Sequence, residues 1–439
     1  MQRNQRNLIK LCALGLSFLD TSTIAHASGF ALSEQGTKGL GGAFAGAAAT
    51  ADDASTVYFN PAGMTRIGGS QIVAASHIVA SSIKFTDTGS TSGSTPLTGG
   101  EGGNAGVLGF VPNLYYVRDI SSSMKFGFGL NAPFGLSTEY DDSWQGRYHA
   151  IHSAITTTNL NPSIAFKAND KLSIGAGINL QHTDVELTNA VDLRRIVSGT
   201  SAQDGDAKVK VSGNDWGYGY DVGVLYEISG TSRIGVSYRS KVDYVLEGDA
   251  KYTPTNATAT ALLAGIQAGG NLVDTTVSSK TTLPESLSLA GFRQLTPFLS
   301  VAADATWTRW SRQKELRIAF DSVQADSVTP QGWKDTWRYG LGVNWTPVNA
   351  WSYRAGIAYD QTPVPNAELR SPRTPDNSRR WLAFGSTYKY SKAFTFDFGY
   401  AHNFYGHTTI NNTDSSGHLL SGAYKIYGNI FSGQINWVF

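Results

Sequence analysis

The feature that most limits what this chain can fold into is a period-two alternation whose connections are sorted by length. Leu172, Ile174, Ala176, Ile178 and Leu180 alternate with Ser173, Gly175, Gly177, Asn179 and Gln181. The same pattern runs through Val222 to Ile228, Ile234 to Tyr238, Trp337 to Trp345, Tyr353 to Tyr359 and Phe394 to Tyr400. One face of each segment is apolar and the other polar or glycine, which is the signature of strands. Fourteen segments read this way, near 69–86, 106–119, 124–132, 153–168, 171–187, 208–228, 232–247, 282–295, 298–320, 336–346, 350–360, 379–390, 393–402 and 425–439. Their connections alternate between short (120–123, 169–170, 229–231, 296–297, 347–349, 391–392) and long, as in 87–105, 188–207, 248–281 and 403–424. A sandwich has no reason to sort its loops by length, whereas a bacterial outer-membrane barrel has tight turns on one rim and long loops on the other. The expectation is an all-β, 14-stranded antiparallel transmembrane β-barrel over residues 69–439, its apolar face toward lipid and its polar face toward the lumen.

Composition and both termini agree with an outer-membrane location. Charged residues make up 16% of the 439, against about 25% in ordinary soluble domains, while aromatic residues make up 11%. No apolar run of about 18 residues occurs beyond the first thirty positions, which excludes membrane-spanning helices. The formal charge of +1 gives nucleic acid nothing to bind. Arg3, Arg6 and Lys10 precede an apolar stretch ending at Leu19, and Ala25-His26-Ala27 supplies a small-residue cleavage site, so residues 1–27 read as a signal peptide. Its removal takes Cys12, the single cysteine, leaving neither a disulfide nor a Cys-ligated metal. At the other end Phe431, Ile435, Trp437 and Phe439 close an alternating strand on an aromatic residue, a signal of the kind read by the barrel-assembly machinery. This last strand must pair with the first, because an open edge in lipid leaves N–H and C=O groups unpaired at several kcal/mol each.

Residues 28–68 are different in kind. GTKGLGGAFAGAAATA at 36–51 has small side chains and no alternation, and it runs into Asp52, Asp53, Tyr58, Phe59 and the turn Asn60-Pro61-Ala62-Gly63. Small residues suit an N-terminal plug packed inside the barrel.

Segments along the chain resemble the FadL family of outer-membrane long-chain fatty acid transporters, which also includes channels for toluene-type hydrocarbons. The matching segments are Ser28-Gly29-Phe30, ADDASTVYFNPAGMT at 51–65, NAPFGL at 131–136, NDWGYGYDVGVLYEI at 214–228, Tyr238-Arg239-Ser240, LPESLSLAGF at 283–292, Trp310-Ser311, WKDTWRYGLG at 333–342 and GIAYDQTPVP at 356–365. They fall in family order over nearly the whole mature chain. The resemblance implies a fourteen-stranded barrel with a plug, substrate capture on extracellular loops, an inner pocket beside the mature N-terminus, and a sideways exit through the wall. It needs no cofactor.

Residue roles follow from the same match. Phe30 corresponds to the family's pocket-filling N-terminal aromatic, the bland alternative being a packing residue. Asn60 and Pro61 correspond to the plug turn facing the opening. Gly127, Gly129, Asn131 and Pro133 correspond to the kinked strand that opens the wall; proline cannot donate to a ladder, and an ordinary strand end is the competing reading. Arg317 occupies a position where fatty acid members carry a basic residue, suited to binding a carboxylate through two parallel hydrogen bonds, the competing reading being an arginine that only pairs with acids of the barrel. A second basic residue is missing where Asp184 aligns near His182, so either Arg239 substitutes or the substrate is less acidic than a free fatty acid. Leu262, Leu263 and Ile266 have helical spacing in a long loop and suit an apolar capture groove that Trp144, Tyr148 and Ile151 would complete, packing of the loop on itself being the competing reading.

Three other classes compete. An outer-membrane lipase-type enzyme would need a nucleophile paired with a base, and His149, His152, His402, His407 and His418 sit in no such motif. HNFYGH, with His402 and His407 five apart and no adjacent Cys or acid, is a poor metal site. A general porin has no use for a plug, and a TonB-driven transporter needs a longer chain. Transport without catalysis is therefore the expectation, with hydrophobic small molecules, outer-membrane lipid and lipopolysaccharide as the partners.

Overall fold

The computed structural model describes residues 29–439; the expected signal peptide and Ser28 lie outside the described residues. The chain forms a closed antiparallel barrel of fourteen wall strands. In chain order they are β1 (Gln71–Asp87), β2 (Leu108–Asp119), β3 (Met124–Asn131, resuming as Gly135–Glu139), β4 (His152–Lys167), β5 (Leu172–Asp192) and β6 (Asp206–Ser229). These are followed by β7 (Ser232–Arg239 and Val242–Pro254), β8 (Thr275–Leu283 and Ser286–Thr296), β9 (Leu299–Thr308 and Glu315–Phe320) and β10 (Thr336–Trp345). The last four are β11 (Trp351–Asp360), β12 (Arg379–Lys389), β13 (Phe394–Tyr405 and Thr408–Thr413) and β14 (His418–Val438). β1 pairs with β14 along its whole length, from Gln71 opposite Val438 to Asp87 opposite Gly422. Phe439 adds a reciprocal backbone pair with Ser70. The last strand thus closes on the first, and neither terminal strand presents an open edge to lipid.

The alternation sorts the faces as expected. Ile174, Ile178, Val222, Val224, Leu341 and Phe398 are exposed on the outside, whereas Asn179, Gln181, Asp221 and Asp397 are buried inside. Aromatic side chains gather at the short-turn rim, where Trp345 packs on Tyr353 at 5.6 Å, Trp351 on Tyr388 at 4.8 Å and Phe394 on Trp437 at 6.0 Å. Amphipathic rings belong at that depth because one end is apolar and the other wet. Among the described residues no helix is long and apolar enough to cross a membrane.

Inside the barrel lies the N-terminal segment, folded into three short helices, α1 (Thr37–Gly41), α2 (Ala47–Thr50) and α3 (Thr56–Phe59), and a 3-10 turn at Pro61–Arg66. It seats against glycines that leave no room for a side-chain carbon: Gly175 faces the Ala62 backbone, Gly223 faces Asn60 and Gly235 faces the Ala48 carbonyl. The glycine face of the strands is thus the seat of the plug. β7, β8 and β9, each expected as one continuous strand, break at about the same level. Pro284 cannot donate to the ladder there, and Trp310 is buried inside. The breaks turn Arg239, Pro284 and Trp310 toward one internal cavity.

Candidate functional site

Phe30 stands at the head of this cavity. Its ring is held by Trp310 at 4.9 Å, Trp333 at 5.6 Å and Phe134 at 6.0 Å. Gly29 reaches this position with φ +60, and a β-carbon there would press on both tryptophans, so only glycine fits. The Gly29 N–H donates to Asp376 Oδ2 at 3.2 Å, and the same oxygen accepts from Thr362 Oγ1 at 2.7 Å. Burial pushes the Asp376 carboxyl up to about 6. A loop of the long-loop rim therefore holds the first described residue of the plug.

Below the aromatic cage is a cavity of about 160 Å³ whose apolar wall includes Leu32, Phe44, Phe59 and Phe134, and whose polar wall carries Arg239, Arg338 and Arg379. Arg379 pairs with Asp360 at 2.6 Å and Arg338 with Asp304 at 3.3 Å. Arg239 lies 3.7 Å from Asp221, donates to the Tyr58 carbonyl at 2.9 Å and stacks over the Tyr58 ring at 4.3 Å. Glu34 is fully buried in the plug with no hydrogen-bond partner on either carboxylate oxygen. Burial pushes its carboxyl up to about 7, although Arg379 and Arg338 pull the other way.

The wall opens beside this cavity. The β2–β3 ladder ends at Leu114 opposite Leu130 and pairing resumes only at Gly106 opposite Thr138. Between these points Pro133 gives its carbonyl to the Leu32 N–H at 2.8 Å, and the Gly135 N–H donates to the Phe30 carbonyl at 2.8 Å. Phe134 is fastened to β4 through Thr157 Oγ1 at 3.0 Å. Chain that would have continued the wall is bonded to the plug instead. Gln35 spans the break, its Nε2 donating to the Ala132 carbonyl at 2.7 Å and its Oε1 accepting from Asn113 Nδ2 at 3.2 Å. A row of lumen amides leads from the break to the cation: Asn131 to Asn159 at 3.2 Å, Asn159 to Asn179 at 2.9 Å, and Asn179 to both Asp221 and Arg239.

Several residues singled out from sequence stand elsewhere. Arg317 projects from the exposed side of β9, already paired with Glu315 at 2.7 Å and Asp326 at 3.0 Å, so it is not a wall residue of the cavity. Asp184 is exposed and contacts His182 at 3.0 Å on the outer face, so it does not mark a missing lumen cation. Asn60 turns to β6, donating to the Val224 carbonyl at 3.1 Å and the Ala48 carbonyl at 2.7 Å, and Pro61 faces β5 at Gly175, both away from the break. Gly127 and Gly129 are regularly paired on both sides and lie before the break, Gly127 against Met64 and Gly129 against Tyr115. Asn131 and Pro133 do stand at the break.

The apolar loop segment forms helix α4 (Ala257–Gln267), capped by Asn256, whose side chain accepts from Ala259 N. Leu262, Leu263 and Ile266 pack into a cluster with Leu193, Val209 and Tyr252. Trp144 is buried in a separate cluster, stacked on Tyr140 at 4.0 Å, and shares no groove with α4. Glu34, Gln35, Asp376, Arg338, Arg379 and the asparagine row went unnoticed in the sequence, although parity along β4 and β5 places Asn159, Asn161 and Asn179 on the lumen face.

Comparison with known proteins fits this geometry. The family described as outer membrane protein transport protein (OMPP1/FadL/TodX) matches residues 18–439. Outer membrane protein P1 of Haemophilus influenzae is 32% identical over 409 residues, 86% of each chain. A long-chain fatty acid transport protein of Escherichia coli O6:H1 is 30% identical over 414 residues, covering 90% of this chain and 91% of that one. Among solved structures, a Pseudomonas aeruginosa FadL homologue superposes with a TM-score of 0.88 at 25% identity over 94% of this chain and 100% of its own. The Pseudomonas putida toluene transporter TodX shares the fold, with a TM-score of 0.71 at 19% identity over 94% of this chain and 100% of its own. A plugged fourteen-stranded barrel with a broken third strand, matched over this whole length, belongs to the OMPP1/FadL/TodX family of outer-membrane transport proteins for hydrophobic compounds.

Proposed function

We propose that this barrel carries long-chain fatty acids inward by passive diffusion, through the Phe30 cage into the cavity beneath and out sideways through the break between β2 and β3. The observation that carries the reading is the cavity itself, apolar on one side and lined by three guanidiniums on the other, of which Arg239 has the most distant acid. An apolar path with one cationic end matches a molecule with a long tail and a single carboxylate. Relatives about 30% identical that are named as long-chain fatty acid transporters support it. No bond is made or broken on this route, so no side chain is given a catalytic part. The exposed apolar belt fits contact with outer-membrane lipid and lipopolysaccharide.

Neutral hydrocarbons are the second reading, favoured by the all-aromatic cage of Phe30, Phe134, Trp310 and Trp333, which suits a ring as well as a chain. Uptake of radiolabelled oleate and toluene by cells expressing the wild-type chain or Arg239→Gln separates the two. Loss of oleate uptake alone supports the fatty acid; toluene uptake without any oleate uptake replaces it with the hydrocarbon.

A further inference from the structure

Charges on the outer wall are partnered unevenly toward the long-loop rim. On the side of β5, β6 and β9, Lys210 is paired with Glu186 at 2.7 Å, Lys208 with Asp142 at 2.7 Å and Arg317 with Glu315 and Asp326. The closure of the barrel is different. Lys84 of β1 lies directly opposite Lys425 of β14, and both are exposed. Parity turns both outward, because Ile78 and Phe431 on the same faces are exposed to lipid while Ile83 and Tyr424 are buried inside. Arg380 of β12 is exposed on the same outer surface, in one register row with Phe404 and Tyr427. Among the described residues, no carboxylate lies within 4.0 Å of any of these three cations. Like charges set directly opposite each other destabilise a strand pair, and here they straddle the seam that closes the barrel.

Strand geometry fixes their depth. Trp437 stands in the aromatic belt of the short-turn rim, and Tyr427 lies ten residues away along β14. Ten residues span about 34 Å of strand, or about 26 Å of height at a tilt of about 40°, against roughly 25 Å for the apolar band of an outer-membrane barrel. Tyr427, with His402 at 6.2 Å and Phe404 beyond it, therefore marks the upper aromatic girdle. Lys425 stands two residues above that girdle with Lys84 beside it, at the level of the outer leaflet's head groups. In that leaflet these are the phosphorylated sugars of lipopolysaccharide. We propose that Lys84, Lys425 and Arg380 form a phosphate site for one lipopolysaccharide molecule astride the β1–β14 closure, with Tyr427 and Phe404 against its acyl chains. Phosphate takes charge-assisted hydrogen bonds from both ammoniums and cancels their repulsion, while the long lysine stems stay on the apolar wall. The bound glycolipid thereby ties the first strand to the last. This site is independent of which substrate the barrel carries.

The test titrates the whole plugged barrel in detergent with deep-rough lipopolysaccharide, counts the bound glycolipid by native mass spectrometry and follows unfolding by heat-shifted gel migration. The wild type should hold one molecule tightly and unfold at a higher temperature with it than without it. Lys84→Gln combined with Lys425→Gln should weaken that binding tenfold or more, the scale of a lost charge-assisted hydrogen bond. Without glycolipid the double variant should be at least as heat-resistant as the wild type, because the repulsion across the seam is gone; a folding defect would give the opposite. Arg380→Gln should weaken binding as well, whereas Arg317→Gln, on a cation already held by two acids, should leave it unchanged. Dephosphorylated lipopolysaccharide should bind the wild type no better than the intact glycolipid binds the double variant. Equal binding by the wild type and the double variant, or equal binding of the intact and dephosphorylated glycolipids, overturns the site. Displacement of the lipopolysaccharide by an equimolar amount of phosphatidylglycerol also overturns it, since the patch would then hold any anionic lipid.

Discussion

Glu34 makes the plug's attachment depend on pH in a direction that can be worked out beforehand. Its carboxyl is fully buried, has no hydrogen-bond partner and is raised by burial from 4.5 to about 7. Once the plug leaves its seat the carboxyl meets water and returns to its ordinary value. The seated state therefore binds the proton more tightly, so this stabilisation is complete below about pH 4.5 and is lost as pH rises to about 7. Between pH 5 and pH 8 the two values give about 2.5 kcal/mol, roughly a seventyfold change in the opening equilibrium.

Native-state hydrogen exchange of plug peptides over residues 30–66, corrected for intrinsic exchange rates, reads that equilibrium directly. Plug protection should fall by about that amount between pH 5 and pH 8 in the wild type, while barrel-strand protection stays level. Glu34→Gln removes this group's titration, so its plug should lose much less protection between pH 5 and pH 8 than the wild type does, the remaining slope coming from Asp376, whose carboxyl at the Gly29 N–H is itself raised to about 6. The protonated carboxyl should also appear at pH 5 as an infrared band absent from the Gln variant. An equal pH slope in both chains would refute the reasoning, because the titrating group would then lie elsewhere.

Other consequences are open to simpler measurements. Phe30→Ala empties the cage between Trp310, Trp333 and Phe134, a loss of roughly 3 kcal/mol of local packing; oleate uptake should change while heat-shifted gel migration still reports a folded barrel, and unchanged uptake of every hydrophobic substrate tried would count against a gate. Gly235→Leu places a side chain where the Ala48 carbonyl lies, so the plug cannot seat and single-channel conductance should rise well above the wild-type level. Arg317→Ala should leave oleate binding within about twofold, since this guanidinium is exposed and already carries two acids; Arg239→Gln should weaken oleate about tenfold or more and spare toluene. The reverse ranking of these two variants would restore Arg317 as the head-group cation.

The barrel was legible because its cause is periodic. Lipid outside and plug inside impose opposite chemistry on alternate residues of every strand, and the signal adds up over fourteen strands. The break was half legible: Pro133 announces that pairing stops, but that the freed chain turns to bond Leu32 and Phe30 depends on contacts about a hundred residues away in sequence. Gln35 and Glu34 gave no signal, because an isolated polar residue in a small-residue segment has no period to betray what faces it.

Parity explains the reassignment of the cations. In β7, Ile234, Val236 and Tyr238 belong to the lipid-facing set, so Arg233, Gly235, Ser237 and Arg239 must look inward, and Gly235 does face the plug. In β9, Asp304 reaches the plug at Gly46 N, and Ile318 is buried; even-numbered residues are inside and Arg317 is outside. Asp184 shares its parity with Ile174 and Ile178, which are exposed, and so falls on the outer face by the same count. A motif match says that a basic residue belongs near a position, but it tolerates a displacement of one. In a strand, a displacement of one moves a charge through the wall. For a barrel of this kind, the face of each strand should therefore be counted before any family residue is carried over, and counted that way Arg239 falls on the lumen face and Arg317 on the outer face, which is why the fatty acid proposal places the head group at Arg239.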